Sequence, residues 1–186
     1  YLEGNVKGTI DNIAGKKMII KSNNTIVDGD ISLKGLPDIY NTFIDFKSNK
    51  LQTTYNDLAT LIPSLRSIRQ PQLSALGNIN YKGNFTGFIN DFVAYGNINT
   101  SLGNLKADLN MKLPEYKTPT YSGKISSAGF NLGRFFNNPK LGFVAFDGNV
   151  KGGGFNIRTL NADFDGQIHK LEYAGYPYQN ISVNGT

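Results

Sequence analysis

The chain has 186 residues, with 19 basic and 14 acidic side chains, one histidine and no cysteine or tryptophan. The absence of thiols excludes a disulfide framework and thiolate metal sites, and one imidazole excludes Ser-His and multi-His constellations. Twenty-one glycines with 12 Phe and 10 Tyr, against only 18% charged residues, favour short strands and many turns over helices.

The first part reads as strands over Asn5–Ile10, Lys17–Ser22, Thr25–Lys34, Thr42–Lys47 and Lys50–Tyr55. Turn chemistry separates them at Ala14-Gly15, Asn23-Asn24, Gly35-Leu36-Pro37 and Ser48-Asn49. The period then breaks. Leu58, Leu61, Ile62 and Leu65 sit at i, i+3, i+4 and i+7, one helical face, with Asn56 or Asp57 as cap and Pro63 limiting the helix. Strands resume over Leu76–Asn84 and Phe85–Ile89, with a turn at Asn90-Asp91. Pro114 and Pro119 bracket a loop, and Tyr121–Ala128, Gly142–Lys151, Phe155–Ile168 and Asn180–Gly185 follow as strands. A second short helix is predicted over Asn131–Phe136, stopped by Asn137-Asn138-Pro139. The total is roughly 13 strands of ordinary length.

The clearest stretch runs from Phe92 to Leu113. Two alternating segments flank Gly103-Asn104, which suits a two-residue hairpin loop because both residues accept positive φ cheaply. That loop predicts pairing of Leu102 with Leu105, Thr100 with Ala107, Ile98 with Leu109, Gly96 with Met111 and Ala94 with Leu113. One face is then apolar. The other carries Ser101, Asn99, Asn97 and Tyr95 opposite Lys106, Asp108, Asn110 and Lys112. A Gly-Asn-φ pattern recurs at Gly4–Gly8, Gly77–Gly83 and Gly148–Gly152, which divides a single segment, 1–186, into loose repeats near 1–75, 76–145 and 146–186.

Catalytic chemistry is sparse. Asp163 and Asp165 share a strand face but lack the further oxygen ligands of a calcium cage, and read as a solvated strand end. Gly152-Gly153-Gly154 lacks the lysine and helix of a phosphate loop and reads as a bulge or crossing point. Four Asn-x-Ser/Thr matches, at Asn23, Asn84, Asn99 and Asn180, are what an Asn-rich chain produces by chance. The lysines are scattered singly, as on a solvated basic face, with weak attraction to anionic lipid or lipopolysaccharide as the functional alternative. A nucleic-acid footprint would be clustered, so no nucleic-acid partner is expected. No catalytic residue, metal or cofactor is expected. No apolar run approaches the ~20 residues of a membrane-spanning helix, and no signal peptide is visible. The start at Tyr1 without Met and the end inside an alternating pattern suggest a piece of a longer protein.

The fold class expected is all-β with two short helices: a long, curled, antiparallel-rich sheet forming an open apolar groove. About 13 strands cannot lie flat, since twist accumulates and large sheets curl or split, and two short helices cover little apolar surface. The lining expected is Ile79, Tyr81, Phe85, Phe92, Ile98, Leu102, Leu105, Leu109, Met111, Leu113, Val150, Leu160 and Phe164. The alternatives are a β-sandwich or β-solenoid whose apolar face meets another sheet, and a transmembrane barrel, whose lipid face Gly83, Gly87, Gly96 and Thr100 would interrupt.

Two phrases carry a family resemblance. Phe146–Ile168, with its Asp147-Gly148-Asn149-Val150-Lys151-Gly152 core, resembles the repeated segments of the AsmA-like proteins. Gly175-Tyr176-Pro177-Tyr178-Gln179-Asn180-Ile181-Ser182-Val183-Asn184-Gly185 is similar to a phrase of the TamB-like members of Bacteroidota and their relatives. Asp57–Pro63 and Phe130–Phe136 resemble the short helices that those proteins place between strand groups. The resemblance covers most of the chain. It implies a taco-like sheet in the periplasmic part of an inner-membrane-anchored protein, non-enzymatic, moving phospholipid to the outer membrane. Its partners would be phospholipid acyl chains and an outer-membrane assembly protein. The family offers no catalytic residues to carry over.

Overall fold

The structure, a computed structural model, describes residues 1–115, 117–155 and 161–185. Eleven strands form one antiparallel sheet whose spatial order is the chain order. They are β1 Leu2–Thr9, β2 Asn12–Ser22, β3 Thr25–Lys34, β4 Phe43–Thr54, β5 Asn78–Phe88, β6 Asp91–Thr100, β7 Gly103–Lys112, β8 Thr120–Asn131, β9 Leu141–Gly153, β10 Asn161–Tyr173 and β11 Tyr176–Asn184. Two short helices accompany them, α1 Tyr55–Leu61 and α2 Leu132–Phe136. The chain is therefore all-β, and β1 and β11 are the unpaired edges of an open sheet. No helix among the described residues is long and apolar enough to cross a membrane.

The strands are fewer and longer than the sequence suggests, because three expected breaks are not turns. Ala14-Gly15 lies inside β2, paired on both sides, at the register shift between Gly15 and Met18. Phe85 continues β5 without interruption. At Ser48-Asn49 the chain makes a bulge inside β4, where the register shifts between Ser48 and Leu51. The bulge stays satisfied because the buried Ser48 hydroxyl donates to Tyr81 O (3.3 Å) and Asn49 Nδ2 donates to Asp28 (3.1 Å). A polar pair thus holds a strand irregularity where the sequence suggests a reversal.

The Phe92–Leu113 hairpin keeps its predicted faces but not its predicted register. Thr100 pairs with Gly103, Ile98 with Leu105, Gly96 with Ala107, Ala94 with Leu109 and Phe92 with Met111. The loop is Ser101-Leu102, so each β6 residue meets a β7 residue four places earlier than a Gly103-Asn104 loop requires. An even shift preserves the alternation. The turn is fixed by tertiary contacts. Leu102 N donates to Thr100 Oγ1 (3.1 Å), Ser101 N to Leu76 O (3.0 Å) and Asn131 N to Leu102 O (2.8 Å). Leu102 itself, 1% exposed, joins Phe130 and Val144 in a cluster of buried apolar side chains. Gly103 (φ +131°) serves a different need, since a Cβ there would collide with Gly129 O on β8.

That cluster lies at one end of the strands. Ala75, Leu76, Leu132 and Phe135 pack against it, and Gln72 N donates to Phe135 O (2.7 Å), tying the β4–β5 connection to α2. The first helix differs from its predicted form. Thr54, not Asn56 or Asp57, caps α1 by accepting from Asp57 N (3.1 Å). The helix ends at Leu61, and a 3₁₀ segment Pro63–Ser67 follows. Leu58, Leu61, Ile62 and Leu65 therefore never share one helical face. Ala59 is buried and Leu61 is 65% exposed. The second helix forms where predicted, with Asn131 Oδ1 accepting from Arg134 N (2.9 Å) and Asn137 closing it in a left-handed conformation.

Away from the capped end there is one layer. The chain exposes 11483 Å², against about 8,800 Å² for a compact monomer of this size. Along β5, β6 and β7 inward side chains are half-buried or buried and outward ones exposed. No second sheet exists among the described residues, so no sandwich forms within the chain, and the sheet is not closed.

The inner face has a floor. Following the pairing from strand to strand, Met18, Gly29, Ser48, Gly83, Gly96, Ala107, Ile125, Gly148, Gly166 and Val183 form one continuous row across β2 to β11. Most are small. In β2–β4 the row coincides with register shifts, after Gly15, at Asp28/Gly29 and after Ser48. Bulges bend strands, and bare glycine pairs let them bend where no bulge exists. At Gly96 an added Cβ would meet Lys82 O, the Gly83 Cα at 2.8 Å and the Tyr81 ring at 2.9 Å. Gly96→Val is expected to cost about 1–3 kcal/mol through overpacking, measured by urea unfolding. Gly129→Ala, with nothing within 4 Å of its Cβ, should stay within about 0.5 kcal/mol of the parent.

Candidate functional site: the apolar face

Two rows of larger side chains flank the floor. Toward the uncapped end run Ile31, Phe46, Phe85, Ala94, Leu109, Gly123, Val150 and Phe164, each paired with the next. Toward the capped end run Val27, Leu51, Tyr81, Ile98 and Leu105. Bulky groups lean over neighbouring glycines. The Phe164 ring lies 2.7 Å from a Cβ built on Gly148, and Phe85 stacks on Phe92 at 4.7 Å across the Gly87–Ala94 diagonal. Phe146 meets Phe164 edge-on at 6.0 Å. The small floor therefore has a specific use: it leaves room for the Phe164 ring over Gly148 and for the Tyr81 ring over Gly83 and Gly96.

Tyr81 shows this most clearly. Its ring lies over the Gly83–Gly96 pair. Its hydroxyl sits 2.6 Å from Asn84 O and 3.0 Å from Tyr95 O, its one proton shared between two backbone carbonyls. The phenol thus turns its polar end into the strands and its apolar face outward. Burial raises its pKa to about 12, because the phenolate loses hydration on an apolar surface. Burial likewise raises Tyr121, which stacks on Phe155 at 5.6 Å.

Of the lining residues read from the sequence, Ile79, Tyr81, Phe85, Phe92, Ile98, Leu105, Leu109, Met111, Leu113, Val150 and Phe164 stand half-buried, in these two rows or farther along toward either end of the strands. Leu102 does not line the face. It is a turn residue buried in the capped-end cluster. Leu160 lies outside the described residues.

The sequence reading missed the floor. The signal was present as Gly83-Asn84-Phe85-Thr86-Gly87, a closer copy of Gly4–Gly8 and Gly148–Gly152 than Gly77–Gly83 is. In the sheet Val6, Phe85 and Val150 occupy one row, and Gly8, Gly87 and Gly152 the next. The repeat encodes a position in the sheet.

The outer face carries the charged groups considered above. Asp163 and Asp165 are exposed opposite Lys151 and Asn149, and His169 Nε2 is 2.5 Å from Asp147 Oδ1, also exposed. No family model matches the chain, and no curated protein or solved structure matches it.

The Tyr81 environment has a measurable consequence. Its folded pKa of about 12 exceeds the value of about 10 in an unfolded chain, so the neutral phenol favours the folded state. Its contribution is complete below pH ~10 and is lost as pH rises through ~12. Stability of the parent should fall more steeply than that of Tyr81→Phe across this window. At neutral pH, Tyr81→Phe should cost about 0.5–1.5 kcal/mol for the lost hydrogen bond. Urea unfolding at stepped pH measures both.

Proposed function

We propose that the chain is a non-enzymatic segment of a lipid conduit, which holds acyl chains against the inner face of its sheet while headgroups stay in water. The observation that carries this reading is the uncovered apolar face itself. Phe164 and Tyr81 lie over small residues of the floor, Tyr81 has its hydroxyl tucked into backbone, and no second layer among the described residues covers it. Monomeric proteins rarely leave such a surface without a partner. The face runs perpendicular to the strands, so its length grows by about 4.8 Å per strand, enough for an extended hydrocarbon chain to lie along it.

The resemblance to AsmA-like and TamB-like proteins adds a setting to the proposal: a periplasmic segment of a longer, membrane-anchored protein that passes phospholipid from the inner to the outer membrane, with an outer-membrane assembly partner for the whole protein. A face built from aliphatic and aromatic groups grips chains and offers little to a headgroup. Each methylene removed from water contributes ~0.8 kcal/mol, several-fold in affinity.

The test measures binding of lysophospholipids to the folded chain. Affinity should rise several-fold per added methylene and change less than about tenfold between headgroups of equal chain length. Leu109→Arg places a charge in the flanking row while leaving it access to water at the open face. It should keep its circular dichroism spectrum and lose chain binding. A parent that binds no lysophospholipid, or a folded Leu109→Arg that binds as tightly as the parent, overturns the reading.

A further inference from the structure

We infer that the polar face carries a second binding site, for an acidic polysaccharide laid across β4 to β8. A trough of about 620 Å³ crosses these strands on the side opposite the apolar rows. Lys50, Lys82, Lys106, Asn80, Asn97 and Asn99 supply its chemistry. Lysines that stand far apart in sequence are brought together by the pairing of Lys82 with Asn97 and of Asn97 with Lys106. Two strand spacings separate Lys82 from Lys106, about 10 Å, and Lys50 extends the line at the β4 bulge.

Several features select the ligand. No carboxylate lines the trough. Two lie beside it: Asp28 opposite Lys50, already accepting from Asn49, and Asp108 on β7. None of the three lysines forms an ion pair among the described residues. The amides of Asn80, Asn97 and Asn99 stand next to these charges in the Asn80–Asn99 and Lys82–Asn97 pairs. An amide both donates and accepts, which matches a hydroxyl whose proton rotates to suit. A peptide strand would need a free sheet edge, whereas β4 to β8 are all interior. A single-stranded nucleic acid would need a series of aromatic stacking platforms; Tyr81, the aromatic residue of the trough, has its ring on the other face, and Tyr95 stands singly beside the trough. Alternating cation and amide at strand intervals, close to the length of one pyranose unit, leaves a sugar chain with periodic acidic groups.

The test uses oligogalacturonate, with a cello-oligosaccharide of equal length as the uncharged control, titrated into the folded chain at low salt by calorimetry. Oligogalacturonate should bind at least about tenfold more tightly than the neutral oligomer, and the advantage should shrink as salt screens the lysines. Lys82→Gln with Lys106→Gln should lose about tenfold in oligogalacturonate affinity and retain lysophospholipid binding, since both positions face away from the apolar rows. Lys7→Gln with Lys34→Gln removes the same charge from β1 and β3 and should bind like the parent. The inference is overturned if the parent binds no oligogalacturonate, if both double variants lose affinity equally, or if single-stranded DNA binds the parent more tightly than the glycan does. None of these outcomes bears on the apolar face.

Discussion

A sheet one layer thick has two faces, and among the described residues the cluster of buried apolar side chains lies at one end of one face. That constraint shapes the rest of the molecule. The capped end, built from Leu102, Phe130 and Val144 under α2 and the β4–β5 connection, is where ordinary close packing exists. Elsewhere inward side chains must reduce their contact with water by lying on one another. They do so because the row from Gly29 to Gly166 is made mostly of residues that leave space. Large groups over small ones is a packing rule of protein interiors; here it operates at a surface.

The same constraint explains how buried polar groups are handled. Serine hydroxyls sit at irregularities: Ser48 donates to Tyr81 O, and Ser127 donates to Asn104 O at 2.7 Å while accepting from Gly129 N at 3.0 Å. A bulge opens backbone groups that a sheet would otherwise pair, and in a thin sheet few other groups can reach them. With these contacts in place, no buried side-chain nitrogen or oxygen among the described residues lacks a partner. Bends in the strands are thus obtained without an orphaned buried side-chain polar group among the described residues.

Much of this was legible in the sequence, and the limits are instructive. Alternation in β5, β6 and β7 assigned faces correctly because each polar residue between two apolar ones has solvent on its side. Register was not legible. Gly103-Asn104 satisfies local turn chemistry, but the turn forms two residues earlier, at Ser101-Leu102, where Leu102 is buried in the capped-end cluster and Gly103 keeps its positive φ inside β7. Ser48-Asn49 likewise looks like a reversal, and Asp28 and Tyr81 O, distant in sequence, make it a bulge. Leu61 completes a helical period on paper and faces solvent because Pro63 ends the helix first. The floor was encoded in Gly-Asn-φ-x-Gly, yet reading it as a floor requires the strand-to-strand register that only pairing supplies.

Spatial order that follows chain order has a kinetic meaning. Each strand hydrogen-bonds only to the strands before and after it in sequence, so few contacts require closing a long loop, and the entropy of each closure stays small. Folding can therefore advance one hairpin at a time, each new strand docking on an edge already formed, as in other quasi-one-dimensional architectures. Such a sheet can be lengthened by adding strands without adding a slower step, and its growing edge is at every stage the place most open to pairing with another chain.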